Sequence, residues 1–213
     1  MEVRYFKKSS IVIVLFLLIS PVFSQQKEFT GNPDTGFEQA REMAFNNQRK
    51  EAQELLKLII AKYPNYLDLR SFLANTYSWD GKYKMARILC DYILKTIPNH
   101  ADTRLLKGRT LSWDGNYELA EKEFLNTLKR EPFYDDPYVA LLDLYWWSNQ
   151  DEKGVVIAKK ALRNKIENPL LSFKLAKAYK RLKQNSFSVK VMDSLLNIYP
   201  KNKEYLEFKK SLK

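Results

Sequence analysis

The chain has 213 residues, 36 Lys+Arg against 25 Asp+Glu for a net charge of +11, and 14% aromatic residues. This length allows a sizeable core, and the aromatic content excludes a disordered chain. One cysteine, Cys90, excludes a disulfide within the chain, and one histidine, His100, leaves a multi-histidine metal site without a second ligand.

At the N-terminus, Arg4, Lys7 and Lys8 precede the apolar run Ile11 to Ile19, with Pro21, Val22 and Ser24 after it. This is the three-part order of a secretory leader, with cleavage expected after Ser24. The apolar run covers nine residues, well short of the ~20 a membrane-spanning helix requires. Residues 25–32 read as a short N-terminal lead.

From there the chain repeats itself every 34 residues. The step links Trp79, Trp113 and Trp147, then Ala52, Ala86 and Ala120, then Pro64, Pro98 and Pro132, with Pro200 two periods on. A fixed period of this length marks a solenoid. Within the unit 67–100, Leu69, Phe72, Leu73, Thr76 and Tyr77 share one helical face, and Tyr83, Ala86, Leu89, Cys90, Ile93 and Leu94 share another. Asp80-Gly81 between them reads as a turn, and Pro98 stops the second helix.

The expected units are 33–66, 67–100, 101–134, 135–168 and 169–202, with a capping helix within 203–213. The fourth unit has Gly154 at the small-residue site and Ile166 in place of proline, and the fifth has Ser188 where alanine is expected. Asp34, Asp68, Asp102 and Asp136 recur just before each first helix, where the reading makes them N-caps, with Asp136-Pro137 the clearest case. The predicted fold is all-α: a right-handed solenoid of about five 34-residue helix-turn-helix repeats with a C-terminal capping helix.

Charge divides along the chain. Residues 25–152 carry 17 Lys+Arg against 20 Asp+Glu, whereas residues 153–213 carry 16 against 4. Such a field attracts an anionic partner, although a solvated lysine-rich surface has the same composition.

The pattern resembles the tetratricopeptide repeat in Ala74, Gly81-Lys-Tyr83, Ala86 and Pro98, and again in Gly108, Gly115-Asn-Tyr117, Ala120 and Pro132. The resemblance covers residues 33–202 and implies a protein-interaction scaffold. A narrower resemblance, carried by Ala40-Arg-Glu-Met-Ala44 and Leu73-Ala-Asn-Thr-Tyr-Ser-Trp-Asp-Gly-Lys-Tyr83, is to the exported helical segment of YaiO-type outer-membrane proteins. It implies a periplasmic or outer-membrane-associated protein of a Gram-negative bacterium. It does not extend to the barrel, since alternating ten-residue strands are missing from the sequence, so any pore would come from a separate barrel partner.

The resemblance places the first helices on the concave face. The row Phe45, Trp79, Trp113, Trp147 and Arg181 then forms an aromatic floor, and Arg41, Asn75, Arg109, Asp143 and Lys177 run beside it one turn earlier. Lys180 and Arg181 make one end basic. Trp146 and Trp147 point about 100° apart around their helix, so one seam cannot bury both. The tryptophans have two readings, packing between repeats or contact with a ligand. The expected ligand is a protein or peptide in the groove. The alternative is an acidic polysaccharide stacked on Trp79, Trp113, Trp146 and Trp147 beside Lys177, Lys180 and Arg181. Nucleic acid does not suit an exported protein. Without a glycine-rich phosphate loop or a serine elbow, neither catalysis nor a cofactor is expected. Asp80 and Asp114 could resemble a glycosidase pair, but their Asp-Gly turns account for them.

Overall fold

The computed structural model describes residues 28–212, and regular structure over that span is helical throughout. The expected leader, 1–24, lies outside the described residues. The helices are α1 (Pro33–Phe45), α2 (Arg49–Lys62), α3 (Leu67–Trp79), α4 (Tyr83–Thr96), α5 (Ala101–Trp113), α6 (Tyr117–Arg130), α7 (Asp135–Trp147), α8 (Asp151–Arg163), α9 (Pro169–Arg181), α10 (Asn185–Ile198) and α11 (Lys203–Lys210). They pair as α1/α2 through α9/α10 and stack in chain order, giving a right-handed solenoid of five repeats with α11 on its open end.

Each first helix ends in the same way. The residue two past the last helical one has positive φ: Asn47, Gly81, Gly115, Asn149 and Lys183, at 63°, 70°, 78°, 56° and 57°. The next amide then donates back five residues, as Lys82 N does to Tyr77 O at 2.8 Å and Asn116 N to Leu111 O at 2.9 Å. These are Schellman closures, and they explain why glycine or asparagine recurs here. Lys183 adopts the same conformation with a Cβ, at a cost in strain that glycine avoids.

The second helices stop by a different device. Tyr63, Ile97, Glu131 and Tyr199 each precede a proline and sit near φ −120°, ψ 60 to 85°. The proline ring excludes the helical conformation at the residue before it. The fourth repeat lacks this proline. There α8 ends at Arg163, Lys165 takes φ 56°, and Ile166 N donates to Ala161 O at 3.2 Å.

The aspartates expected as N-caps are not caps. The capping positions are Asn32, Tyr66, His100, Tyr134, Asn168 and Asn202, two residues earlier and on the same 34-residue step. Asn32 Oδ1 accepts from the amides of Asp34 and Thr35, Asn168 Oδ1 from Leu170 and Leu171, and His100 Nδ1 from Thr103. Asp34, Asp68, Asp102 and Asp136 lie in the first turn, where a negative charge favours the helix dipole. Asp34 and Asp102 also accept from the hydroxyls of Tyr66 and Tyr134, each one repeat on, at 2.5 and 2.7 Å.

The core follows the small residues. Ala40, Ala52, Ala74, Ala86, Ala120, Ala158 and Ala176 are fully buried, which lets the paired helices approach closely. Gly108 serves this purpose most strictly, since a Cβ there would lie 2.5 Å from Cε1 of the buried Phe124. Ser188, at an alanine position, is fully buried and donates to Ala176 O at 2.8 Å, so its hydroxyl is satisfied. At the C-terminal end α11 covers the last pair. Phe173 packs on Tyr205 and Phe208 with ring centroids 4.8 and 5.3 Å apart, beside the buried Met192.

Candidate binding groove

The first helices of successive repeats touch one another, α3 with α5, α5 with α7 and α7 with α9, with no comparable contact between second helices among the described residues. The first helices therefore form the inside of the curve. The last turn of each brings the row of aromatic residues to this inner face.

Both tryptophans of the Trp146-Trp147 pair are exposed, and Trp79, Trp113, Trp146 and Trp147 all lie between 41% and 46% exposed. The row is thus half packed and half open. Trp79 packs against Phe45 and Phe72, each with ring centroids 5.8 Å away, and Phe37 extends this strip from Phe72 at 5.6 Å. Trp113 leans on Tyr83 at 5.8 Å. Trp113 and Trp147 line one cleft of about 60 Å³ together with Arg109, Ser112 and Asp143. A larger cleft of about 230 Å³ continues past Trp146 and Trp147 to Lys174 and Lys177. Phe37, Phe72 and Tyr83 do not appear in the sequence-based rows, because Phe37 and Phe72 have no aromatic equivalent in an adjacent repeat and Tyr83, repeated as Tyr117, reads as part of the turn motif.

The hydroxyls of Ser78 and Ser112, buried beside Trp79 and Trp113, have no hydrogen-bond partner among the described residues. Ser148, by contrast, donates to Leu144 O at 2.8 Å. An unmade hydrogen bond at a buried hydroxyl costs about 1–3 kcal/mol, so these two positions tolerate a loss their neighbours avoid.

The polar row is largely committed to partners within the chain. Arg41 pairs with Glu38 at 3.2 Å, Asn75 donates to Ser71 O at 3.0 Å, and Arg109 pairs with Asp136 at 3.0 Å. Lys174 neutralises Asp143, and Lys177 lies 3.5 Å from Glu204. Arg181 departs from the free cation expected at the basic end. Its guanidinium lies over the Trp146 ring at 4.2 Å, donates to Trp146 O and Asn149 Oδ1 at 2.9 and 2.6 Å, and pairs with Asp151 at 3.0 Å. Burial pushes the Asp151 carboxyl up, more than the neighbouring Arg181 draws it down, and Glu152 adds to the rise. Lys180 donates to Ser211 Oγ at 2.8 Å and has no carboxylate within ion-pair distance among the described residues. The basic end therefore presents Lys180 rather than three free cations.

The turn aspartates hold repeats together. Asp80 accepts from Arg49 at 2.7 Å and Gln53 at 2.8 Å, both on the preceding second helix, and from Lys82 at 3.3 Å. Burial pushes its carboxyl up, but the bonds from Gln53, Arg49 and Lys82 more than offset that and hold it below its ordinary value. Asp114 pairs with Arg87 at 2.6 Å in the same relation. Both carboxylates are therefore engaged in joining neighbouring repeats. Cys90 is fully buried, and burial pushes its thiol up to about 12, so it is an inert core side chain. Among the described residues no three His, Cys, Asp or Glu side chains cluster as metal ligands, and no helix is long and apolar enough to cross a membrane.

No protein-family model and no curated protein sequence matches the chain. Solved structures do. A tetratricopeptide repeat protein of Parabacteroides merdae ATCC 43184 superposes with a TM-score of 0.71 at 16% identity, over 84% of this chain and 72% of that one. MamA of Desulfovibrio magneticus RS-1 gives 0.68 at 19% identity, over 82% and 99%. The tetratricopeptide protein TTC0263 of Thermus thermophilus gives 0.62 at 15% identity, over 85% and 98%. These likenesses are of fold.

Proposed function

From a tetratricopeptide-repeat fold with an open aromatic strip on its inner helices, we propose that this protein is a scaffold whose groove takes an extended peptide from a partner protein. The observation that carries this reading is the half-exposed row Trp79, Trp113 and Trp147, joined by Phe45 and Trp146. Four tryptophans left partly in water on one face lose the stabilisation that full burial gives, and a peptide with apolar side chains recovers it. The clefts beside Trp113 and Trp147 follow one another along the row, sharing Asp143 and Trp147, an elongated arrangement that suits successive side chains of an extended chain. Lys180 at one end favours a segment with an acidic residue there.

The leader expected at residues 1–24 supports a place for this scaffold in the cell envelope, as part of an outer-membrane or polysaccharide-export assembly. Its partner would be the tail of an envelope protein or of a separate barrel. Intrinsic tryptophan fluorescence tests the groove directly. Peptides tiled from envelope proteins are expected to shift the emission, and Trp113→Ala/Trp147→Ala is expected to abolish the response while leaving the helical content intact. A response to acidic glycans with none to any peptide would replace this reading with the carbohydrate one.

A further inference from the structure

The basic excess of residues 153–213 does not collect in the groove. On α8, Val156, Lys159, Lys160 and Arg163 follow the spacing i, i+3, i+4, i+7 and so share one helix face. All four are exposed, Val156 to 65%. On α10, Phe187 and Lys190 share a face and are also exposed, Phe187 to 51%. The two helices are joined through Tyr179 of α9. Phe187 stacks on its ring at 5.4 Å, Lys159 Nζ lies 5.9 Å from the same ring, and Lys190 Nζ lies 5.9 Å from Phe187. Cations and apolar tips therefore form one continuous patch on the outer, second-helix side of the solenoid.

The acids around this patch are mostly occupied elsewhere. Asp151 is paired with Arg181, Asp193 with Lys209, and Glu121 with Lys153 and the Tyr145 hydroxyl. Glu152, exposed one turn before Val156, and Glu167, exposed four residues after Arg163, are the acids beside α8 without an ion-pair partner among the described residues, two against the four cations of the patch. Lys159, Lys160, Arg163 and Lys190 have no carboxylate within 4 Å among the described residues. The patch is thus a field of uncompensated positive charge.

We propose that this outer face of α8 and α10 docks the protein on an anionic phospholipid bilayer. Lys159, Lys160, Arg163 and Lys190 meet the headgroups, while Val156 and Phe187 reach the acyl boundary. Two features select a lipid surface over an acidic protein. Apolar tips set among the cations match the layered polarity of a bilayer interface, where an aromatic ring and aliphatic side chains gain from shallow burial. Three of the four cations are lysines, compact point charges without the fork that reads a fixed carboxylate, so they suit a surface of mobile charges. The groove, on the opposite side of the helix pairs, stays open to a peptide while the back lies on the membrane.

Co-sedimentation of the full chain with vesicles tests this, residues 1–27 being common to every variant. The vesicles are phosphatidylcholine alone, and phosphatidylcholine mixed with an equal part of phosphatidylglycerol. The wild-type chain is expected to prefer the anionic vesicles, with the preference falling as salt screens the charges. Substitution of Lys159, Lys160, Arg163 and Lys190 by Glu is expected to remove the preference, since each cation removed weakens binding about fivefold. Should the reversed variant fail to fold, the four-glutamine variant carries the same expectation. Val156→Ser/Phe187→Ser is expected to spare the salt-sensitive part and weaken what remains at high salt. An unchanged preference in the reversed or glutamine variant overturns the proposal. So does a wild-type chain indifferent to phosphatidylglycerol but retained on poly-glutamate through these four cations, which would assign the patch to an acidic protein.

Discussion

Gly108 and Gly154 contrast at the residue scale, since substitution at the two has opposite consequences. A Cβ on Gly108 meets Phe124 ring atoms at 2.5 and 2.7 Å, whereas one on Gly154 finds Leu142 Cδ2 at 3.5 Å, an ordinary contact. Replacing a helical glycine by alanine gains about 1 kcal/mol of helix propensity. At Gly154 that gain stands, and Gly154→Ala is expected to raise stability by about 0.5–1 kcal/mol. At Gly108 the buried Phe124 ring must shift to admit the Cβ, and overpacking costs about 1–3 kcal/mol. Gly108→Ala is expected to be net destabilising, with urea midpoints measuring both. Asp80 supplies a pH test. Its folded pKa lies below the ordinary 3.8, so its contribution is present above that value and is lost as pH falls through the lower, folded value. The stability difference between the wild type and Asp80→Asn is therefore expected to be full at neutral pH and to shrink in acid below 3.8. A difference that grows in acid would contradict the assigned sign.

At the scale of the helix, the period of 34 residues makes most of the architecture legible from the amino-acid order. Trp79, Trp113 and Trp147 do end α3, α5 and α7, and Gly81 and Gly115 do take positive φ. Recurrence alone does not give phase. Asp34, Asp68, Asp102 and Asp136 recur as a single residue type, whereas the true capping positions vary as Asn32, Tyr66, His100, Tyr134 and Asn168, and aspartate and asparagine are both at home at helix starts. Tyr66 and Tyr134 conceal the capping position, because tyrosine lacks the short acceptor that marks it in sequence. The distinction is measurable. Asn32→Ala removes acceptors from two amides and is expected to cost about 1 kcal/mol, while Asp68→Ala, with only the helix dipole to lose, is expected to cost a few tenths. The groove is legible as a row but not as a charge pattern. Arg181 reads as a free cation along the chain because its partners, Trp146, Asn149 and Asp151, belong to the preceding repeat and meet it only when the repeats stack. The half-exposure of the tryptophans is likewise set by side-chain packing, which a period of 34 does not encode.

For the whole molecule, contacts run between neighbours, so stability is shared along the stack and its open ends need covering. α11 provides this at the C-terminal end through Tyr205 and Phe208 against Phe173. Truncation after Asn202 is expected to expose Phe173 and Met192, broaden the thermal transition and promote association, as followed by calorimetry and light scattering. A sharp transition unchanged in midpoint would show that α11 is dispensable. The solenoid presents two faces, an inner aromatic groove and an outer basic patch, and their separation allows a peptide and a surface to be held together. On the proposed function, the open tryptophans bind a peptide rather than merely join repeats. Titrating wild-type chain and the Trp113→Ala/Trp147→Ala variant with peptides tiled from envelope proteins, read by isothermal calorimetry, tests it most directly. Saturable binding is expected for the wild type, and the double variant is expected to lose it while retaining its helical circular dichroism. Peptide binding of equal affinity in both would show that the row serves packing alone.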